Sequence, residues 1–212
     1  MSGKPFTAGD AQSPAVVTLR SYLDLLIVAG LVAMLLTVFV IRTFYISSIS
    51  MIPTLQVGDV FLADDLDYRL RSPLDGEVAL FIPPIPSHGT DFIKRVIGVP
   101  GDTIRISGGI VYRNGVPLSE PYENQPPSYD LQIRDYGIYV NGVALNQAQA
   151  DIPPRSRWQA PDRIPKGFYF MLGDNRNYSE DSHVWGFARR AEFNGRALMI
   201  VWPLSRFSLI RS

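Results

Sequence analysis

The sequence predicts a mainly β protein with one N-terminal membrane helix and a β-hairpin subdomain inserted into its β core. Three observations predict this. A long uncharged apolar run lies near the start, Leu25 to Ile41. Beyond Arg42 the chain becomes short β-branched and aromatic runs cut by Gly, Pro, Asn and Asp, the pattern of strands and tight turns. Among these runs one motif occurs twice, at 103–118 and again at 130–145.

The bulk composition narrows the classes. A chain of 212 residues with 46% apolar content and 17 prolines is long enough for a real core and rich in turns. Its formal net charge is zero, so there is no electrostatic footprint for nucleic acid. Cysteine is absent, which removes disulfides, thiolate nucleophiles and Cys-based metal sites. His88 and His183 are the only histidines, far apart in sequence, which argues against a His-rich metal site; no cofactor is implied. Positive charge is carried almost wholly by Arg, with Lys only at 4, 94 and 166. Arg stays charged in proteins, whereas a buried Lys can lose its proton.

The elements follow in order. Residues 1–24 are polar and mixed and read as a tail. Residues 25–43 read as a transmembrane anchor. The run from Leu25 to Ile41 spans about 25 Å as a helix, at roughly 1.5 Å per residue, near the short limit for a hydrocarbon core of roughly 30 Å. Tyr22 and Leu23 before it, and Arg42, Phe44 and Tyr45 after it, can extend it. A core helix would show a polar face, and this run has none. A cleaved leader would be followed by a small-x-small site, and Ser47-Ser48-Ile49 matches poorly. Charge does not set the orientation, because Lys4 and Arg20 precede the run and Arg42 follows it.

Strands are expected at 57–63, 76–82 and 92–99, the second stopped by Pro83-Pro84 and the third by Pro100-Gly101. The repeated motif ends each time in Tyr-x-Asn-Gly-Val-x-Leu. Asn-Gly between apolar strands is the strongest short hairpin signal, because both residues accept positive φ. Two related hairpins are therefore expected within an inserted subdomain, 104–166, whose end is a Gln-, Pro- and Arg-rich loop. Residues 167–172 and 197–203 supply further core strands. The β core is thus 44–103 together with 167–212.

Three stretches carry chemistry. Ser50 stands in Ser50-Met-Ile-Pro-Thr-Leu55, just after the apolar run. A serine hydroxyl is inert without a base within hydrogen-bond reach. Lys94 stands in Phe92-Ile-Lys-Arg-Val-Ile-Gly98, among apolar neighbours. Desolvation by such neighbours disfavours the ammonium and lowers its pKa, after which the amine can take a proton from serine. Arg95 follows it and faces the other way along a strand. The last stretch is Gly173-Asp-Asn-Arg-Asn-Tyr-Ser179 continuing through Asp181 to Gly186. Read locally it is an Asx-rich turn, and such a turn can carry site residues on a rigid sheet.

In this order these stretches resemble the signature boxes of the bacterial type I signal peptidases, membrane-anchored serine proteases with a Ser–Lys dyad. The resemblance covers most of 44–103 and 167–203. It implies an endopeptidase that removes signal peptides from exported preproteins after small-x-small sites. It implies a single-pass protein of the cytoplasmic membrane, in contact with the lipid bilayer, with the catalytic domain on the extracytoplasmic side. Carried over residue by residue, Ser50 is the nucleophile and Lys94 the general base. The Ser50 N–H and the Ser48 hydroxyl form the oxyanion hole, and Ser179 orients the Lys94 amine. Asp174 pairs with Arg95, and Asp181 supports the site. Phe44, Ile46, Met51, Leu55 and Ile93 line the substrate pocket. The family commonly carries one hairpin element here, so the second copy reads as an insertion or duplication.

Three departures are visible. Ile49 stands where the family often has Gly, His183 where it has Arg, and Asn177 where it often has Asp. Asp181 then has Arg176 or His183 as its available partner. Two other readings compete. A membrane-tethered β domain that binds a partner explains the anchor and hairpins but not Ser50, Lys94 and Ser179 together. A Ser-His-Asp hydrolase would need His88 or His183, and neither falls where such a site requires it.

Overall fold

In a computed structural model, residues 14–39, 41–86 and 90–212 are described. The chain divides into two compact units, one up to Val40 and one from Ile41 to Ser212. The first unit is helix α1 (Pro14–Phe39), 26 residues long. It begins within the stretch expected as a tail, because Pro14 can open a helix and 15–24 contain no breaker. Its described apolar side chains, from Leu23 to Met34, are exposed. Over the residues whose side chains are described, no helix is long and apolar enough to cross a membrane.

The second unit is mainly β, as the sequence predicts. Its strands run β1 (Ile41–Tyr45), β2 (Val60–Asp64), β3 (Val78–Phe81) and β4 (Phe92–Gly98). The repeated region forms β5 (Ile104–Ser107), β6 (Ile110–Arg113), β7 (Val116–Pro117), β8 (Leu131–Arg134), β9 (Gly137–Val140) and β10 (Val143–Ala144). The chain returns as β11 (Phe168–Leu172), β12 (Ala188–Arg189), β13 (Phe193–Trp202) and β14 (Ser208–Leu209). Two short helices, α2 (Asp67–Leu70) and α3 (Ser182–Trp185), sit in the connections. β1 takes the last residues, 41–43, of the stretch that the sequence gives to the anchor. Its whole length pairs with β2, from Ile41 opposite Asp64 to Tyr45 opposite Val60, and Arg42 reaches the Asp65 carboxylate at 2.7 Å.

The larger sheet has the order β1-β2-β13-β3-β4-β11-β12, with β14 on β13. The smaller sheet is β10-β9-β8-β5-β6-β7. It joins the two repeats edge to edge through β5 and β8, where Ile106 faces Leu131. Each Asn-Gly turn has positive φ at both residues, Asn114-Gly115 and Asn141-Gly142, as that turn demands.

Alternation along the strands sorts the side chains. Ile104, Ile106, Leu131, Ile133 and Ile138 of the small sheet meet Ile97, Phe170 and Leu172 of the large one in a single cluster. The opposite residues of the same large-sheet strands, Val96, Tyr169 and Met171, pack with Phe81, Trp185 and Phe193. A third cluster gathers Ile46, Met51, Leu55, Phe61, Val78 and Leu80. The loop after β1 is therefore anchored by its own apolar residues, and Ser50 lies between two of them.

Candidate active site

Two elements bring Ser50 and Lys94 together. The loop after β1 is held by bonds between Ile46 N–H and Asp59 O (2.9 Å) and between Gly58 N–H and Ile46 O (2.9 Å). Strand β4 is central, paired with β3 on one side and β11 on the other. Lys94 stands opposite Ala79 on β3. That small neighbour leaves room for the long side chain. The Lys94 Nζ donates to Ser50 Oγ at 2.9 Å, and the pair is buried. The ammonium also lies 5.4 Å from the centre of the Phe92 ring, two residues back on the same face.

Burial sets the electrostatics. Lys94 is only 4% exposed. Its pKa is lowered to about 8, chiefly by desolvation, with Asp181, Glu180 and Asp174 pulling the other way. A share of the amine is thus neutral near physiological pH and can accept a proton. Ser48 Oγ stands 3.2 Å from Ser50 Oγ.

The 173–181 segment frames this pair. Asp174 and Arg95, both fully buried, form a two-pronged ion pair with both contacts at 2.8 Å. Arg95 also donates to Gly76 O and Arg211 O, and Thr54 Oγ1 donates to Asp174 at 2.5 Å. Asp181 accepts from Gly173 N–H at 3.0 Å and from His183 N–H at 3.2 Å. It therefore caps α3 and pins the turn at once. Of the two partners that the sequence leaves open for Asp181, the structure shows His183, whose Nδ1 lies 2.6 Å away. Arg176 instead pairs with Glu120.

One expectation is not met in this arrangement. The buried Ser179 hydroxyl makes no hydrogen bond, so it does not reach the Lys94 amine here. It lies against Gly173, close to the Ser50 backbone. The pocket expectation divides. Phe44, Ile46 and Ile93 line an open cleft of about 580 Å³ together with Ser48, Ser50, Lys94, Tyr178 and Glu180. Met51 and Leu55 are wholly buried in the cluster against which Phe44 and Ile93 pack. Neither lines the cleft. His183 is engaged with Asp181 and stacked on Tyr129, ring centres 4.3 Å apart, and His88 lies outside the described residues. Among the described residues no cluster of ligating side chains could hold a metal ion.

Sequence reasoning missed Asn175. Its N–H donates to Ser50 O at 3.0 Å and its side-chain amide to Ile49 O at 3.1 Å. This residue holds the Ser50 backbone on both sides. It also missed Glu120 and Tyr122, whose contacts with Arg176 and Arg95 span long stretches of chain.

A serine hydroxyl held against a buried amine in an open cleft is the arrangement of a serine hydrolase. The family model described as "Signal peptidase, peptidase S26" matches residues 19–202. Probable signal peptidase I-1 of Synechocystis sp. (strain ATCC 27184 / PCC 6803 / Kazusa) is 37% identical, over 92% of this chain and 88% of its own length. Probable signal peptidase I-2 of the same organism is 36% identical, over 96% and 83%. A crystal structure of a signal peptidase I from Enterococcus faecalis V583 is 29% identical, with a TM-score of 0.40, over 59% of this chain and 97% of that one. The chain belongs to the signal peptidase family, peptidase S26, and is by that membership a serine endopeptidase.

Proposed function

We propose that this chain is a type I signal peptidase in which Ser50 is the nucleophile and Lys94 the general base. The observation that carries the reading is the 2.9 Å contact between Lys94 Nζ and Ser50 Oγ in a site that lowers the amine's pKa to about 8. The neutral amine takes the Ser50 proton as Oγ attacks the scissile carbonyl. The Ser50 N–H and the Ser48 hydroxyl receive the developing oxyanion. The resulting ammonium gives its proton to the departing amine, and water then releases the acyl group by the same route in reverse. Ser179 serves this cycle by rotating toward Lys94 once substrate fills the cleft; apo geometry often tightens on binding. The cleft's apolar walls, Phe44, Ile46 and Ile93, select small side chains before the cut.

The chain acts at the cytoplasmic membrane. The uncharged run from Leu25 to Ile41 and the exposed apolar side chains of α1 support a single lipid-embedded anchor. The unit from Ile41 onward then stands on the extracytoplasmic side, where exported preproteins emerge. The repeated hairpins, residues 104–166, form a subdomain inserted into the catalytic core of 44–103 and 167–212.

The test is cleavage of a preprotein whose signal ends in Ala-x-Ala, by the parent chain, Ser50→Ala and Lys94→Met in detergent. The parent is expected to cut at that site and neither variant to cut. Chelators are expected to leave the rate unchanged. Equal cleavage by all three would sink the assignment. No cleavage by a folded parent, in lipid as in detergent, would favour a tethered binding domain.

A further inference from the structure

The segment that joins the two hairpins, 118–129, does more than connect them. Leu118 at one end and Tyr129 at the other belong to the cluster shared by the two sheets. Between them the segment bonds to each residue of the 174–177 turn. Glu120 holds the fully buried Arg176 guanidinium with two contacts, 2.7 and 3.0 Å, and Glu123 lies 3.7 Å from it. Asn124 N–H donates to Asp174 O at 3.0 Å, and the Asn124 side chain to Asn175 Oδ1 at 3.2 Å. Ser128 N–H donates to Asn177 Oδ1 at 2.8 Å, and Asn177 donates to Pro126 O at 3.0 Å. Tyr122 lies flat against the Arg95 guanidinium, 3.8 Å from ring centre to charge.

The other side of the same turn faces the nucleophile. Arg176 Nε donates to Gly173 O at 3.0 Å. Asn175 holds the carbonyls of Ser50 and Ile49. A continuous set of hydrogen bonds thus runs from the strap to the Ser50 backbone, with buried charge at its centre. The link through Arg176 is the stiff one, because that guanidinium is fully buried and losing Glu120 would leave it unpaired away from water.

We propose that the 118–129 strap positions the nucleophile: Glu120 and Asn124 fix the 174–177 turn, and Asn175 in that turn fixes the carbonyls of Ile49 and Ser50. This rests on the reading of Ser50 as nucleophile. It also gives the second hairpin a purpose. The strap is closed at both ends only because a second hairpin follows it and packs Tyr129 and Leu131 into the shared cluster. Glu120, Asn124 and Asn177 are positioning residues, since none of them lines the cleft.

The experiment uses the full chain in detergent and the double variant Asn124→Ala/Asn177→Ala, which removes the Asn124–Asn175 tie and both Asn177 ties and leaves Glu120 on the buried Arg176. Two quantities are read. The first is kcat and KM on the Ala-x-Ala preprotein, with the folded fraction taken from circular dichroism. The second is amide hydrogen exchange at Asn175, whose N–H is bonded to Ser50 O. The strap reading expects kcat about tenfold lower, KM within about twofold, a fully folded protein, and exchange at Asn175 at least about tenfold faster. Asn177→Asp, which keeps the acceptor for Ser128 N–H, should recover part of the loss. Unchanged kcat and exchange would overturn the proposal. So would a fall in kcat that only follows the folded fraction. Glu120→Gln, which weakens the grip on Arg176, should lower kcat further. An inactive parent would instead count against the nucleophile assignment, and the exchange measurement would still decide whether the strap holds the turn.

Discussion

The burial that lowers the Lys94 pKa also makes the residue a cost to folding. A pKa lowered from 10.5 to about 8 corresponds to about 3 kcal/mol of preference for the neutral form, at about 1.4 kcal/mol per pH unit. At pH 7 the amine is mostly charged when folded and fully charged when unfolded, so the folded state carries most of the burial cost. Above pH 8 the folded amine sheds its proton while the unfolded one keeps it, and stability rises until about 10.5. Lys94→Met should therefore be more stable than the parent at pH 7, by up to about 3 kcal/mol, with the gap closing toward pH 10. Urea unfolding of both proteins at the two pH values checks this; an equal or lower midpoint for the variant at pH 7 would refute it. Activity in the parent should rise with pH and level off above about 8. Glu180 tunes that midpoint. It lines the cleft and its charge raises the Lys94 pKa. Glu180→Gln should move the acid limb of kcat/KM to lower pH, and a limb that stays in place would show that solvent screens the carboxylate. Ser50 and Lys94 were legible in the sequence because each carries a local signal, a serine in a fixed box and a rare lysine among apolar neighbours. Asn175 was not, because its role lies in carbonyls 126 and 125 positions away in the chain. Ser179 was placed in the right neighbourhood, but the rotation of its hydroxyl follows from local packing that a sequence does not display.

The 173–181 turn shows how one element supplies several constraints. Asp181 caps α3 and holds Gly173 N–H, Asp174 closes on Arg95, and Asn175 grips the Ser50 loop. Gly173 is required by space rather than by φ. A Cβ there would stand 2.5 Å from Ser50 O and would also meet the Ser179 hydroxyl. The backbone contact has nowhere to go without shifting Ser50. Gly173→Ala should cost about 1–3 kcal/mol of stability, as an overpacked core does, and lower kcat by at least about tenfold. Normal turnover by a folded Gly173→Ala would mean that the loop and the turn move as one body and that the fit is looser than the distances imply. The hairpins make the complementary point about legibility. Their Asn-Gly turns announce themselves locally, because few other pairs accept positive φ twice. The equivalent bends at the far ends use Gly108-Gly109 in one copy and Asp135-Tyr136 in the other, all four at positive φ. Tyr136 tolerates this because it is held, with its N–H on Pro161 O and its ring against Trp158.

At the scale of the molecule, the strands were visible in the sequence but their order was not. Alternation and turn residues mark where a strand is. The insertion of β13 between β2 and β3 depends on contacts between residues more than a hundred positions apart, which no local pattern encodes. The same long-range pairing predicts what happens when helix α1 is removed. β1 is held by β2 along its whole length, and β2 by β13, so the unit from Ile41 onward carries its own sheet and its own cores. A chain starting at Ile41 should fold with a melting temperature within about 2 °C of the full protein in the same detergent, since among the described residues none of the three clusters includes one before Ile41. It should cut a short soluble Ala-x-Ala peptide with kcat/KM within a few fold of the full chain. On a preprotein inserted in lipid vesicles it should be slower by roughly 10²-fold or more, because tethering enzyme and substrate to one bilayer raises their effective concentration. A large drop in melting temperature would show that α1 supports the fold. Equal rates on vesicles and on the soluble peptide would show that the helix is not what brings the enzyme to its substrate.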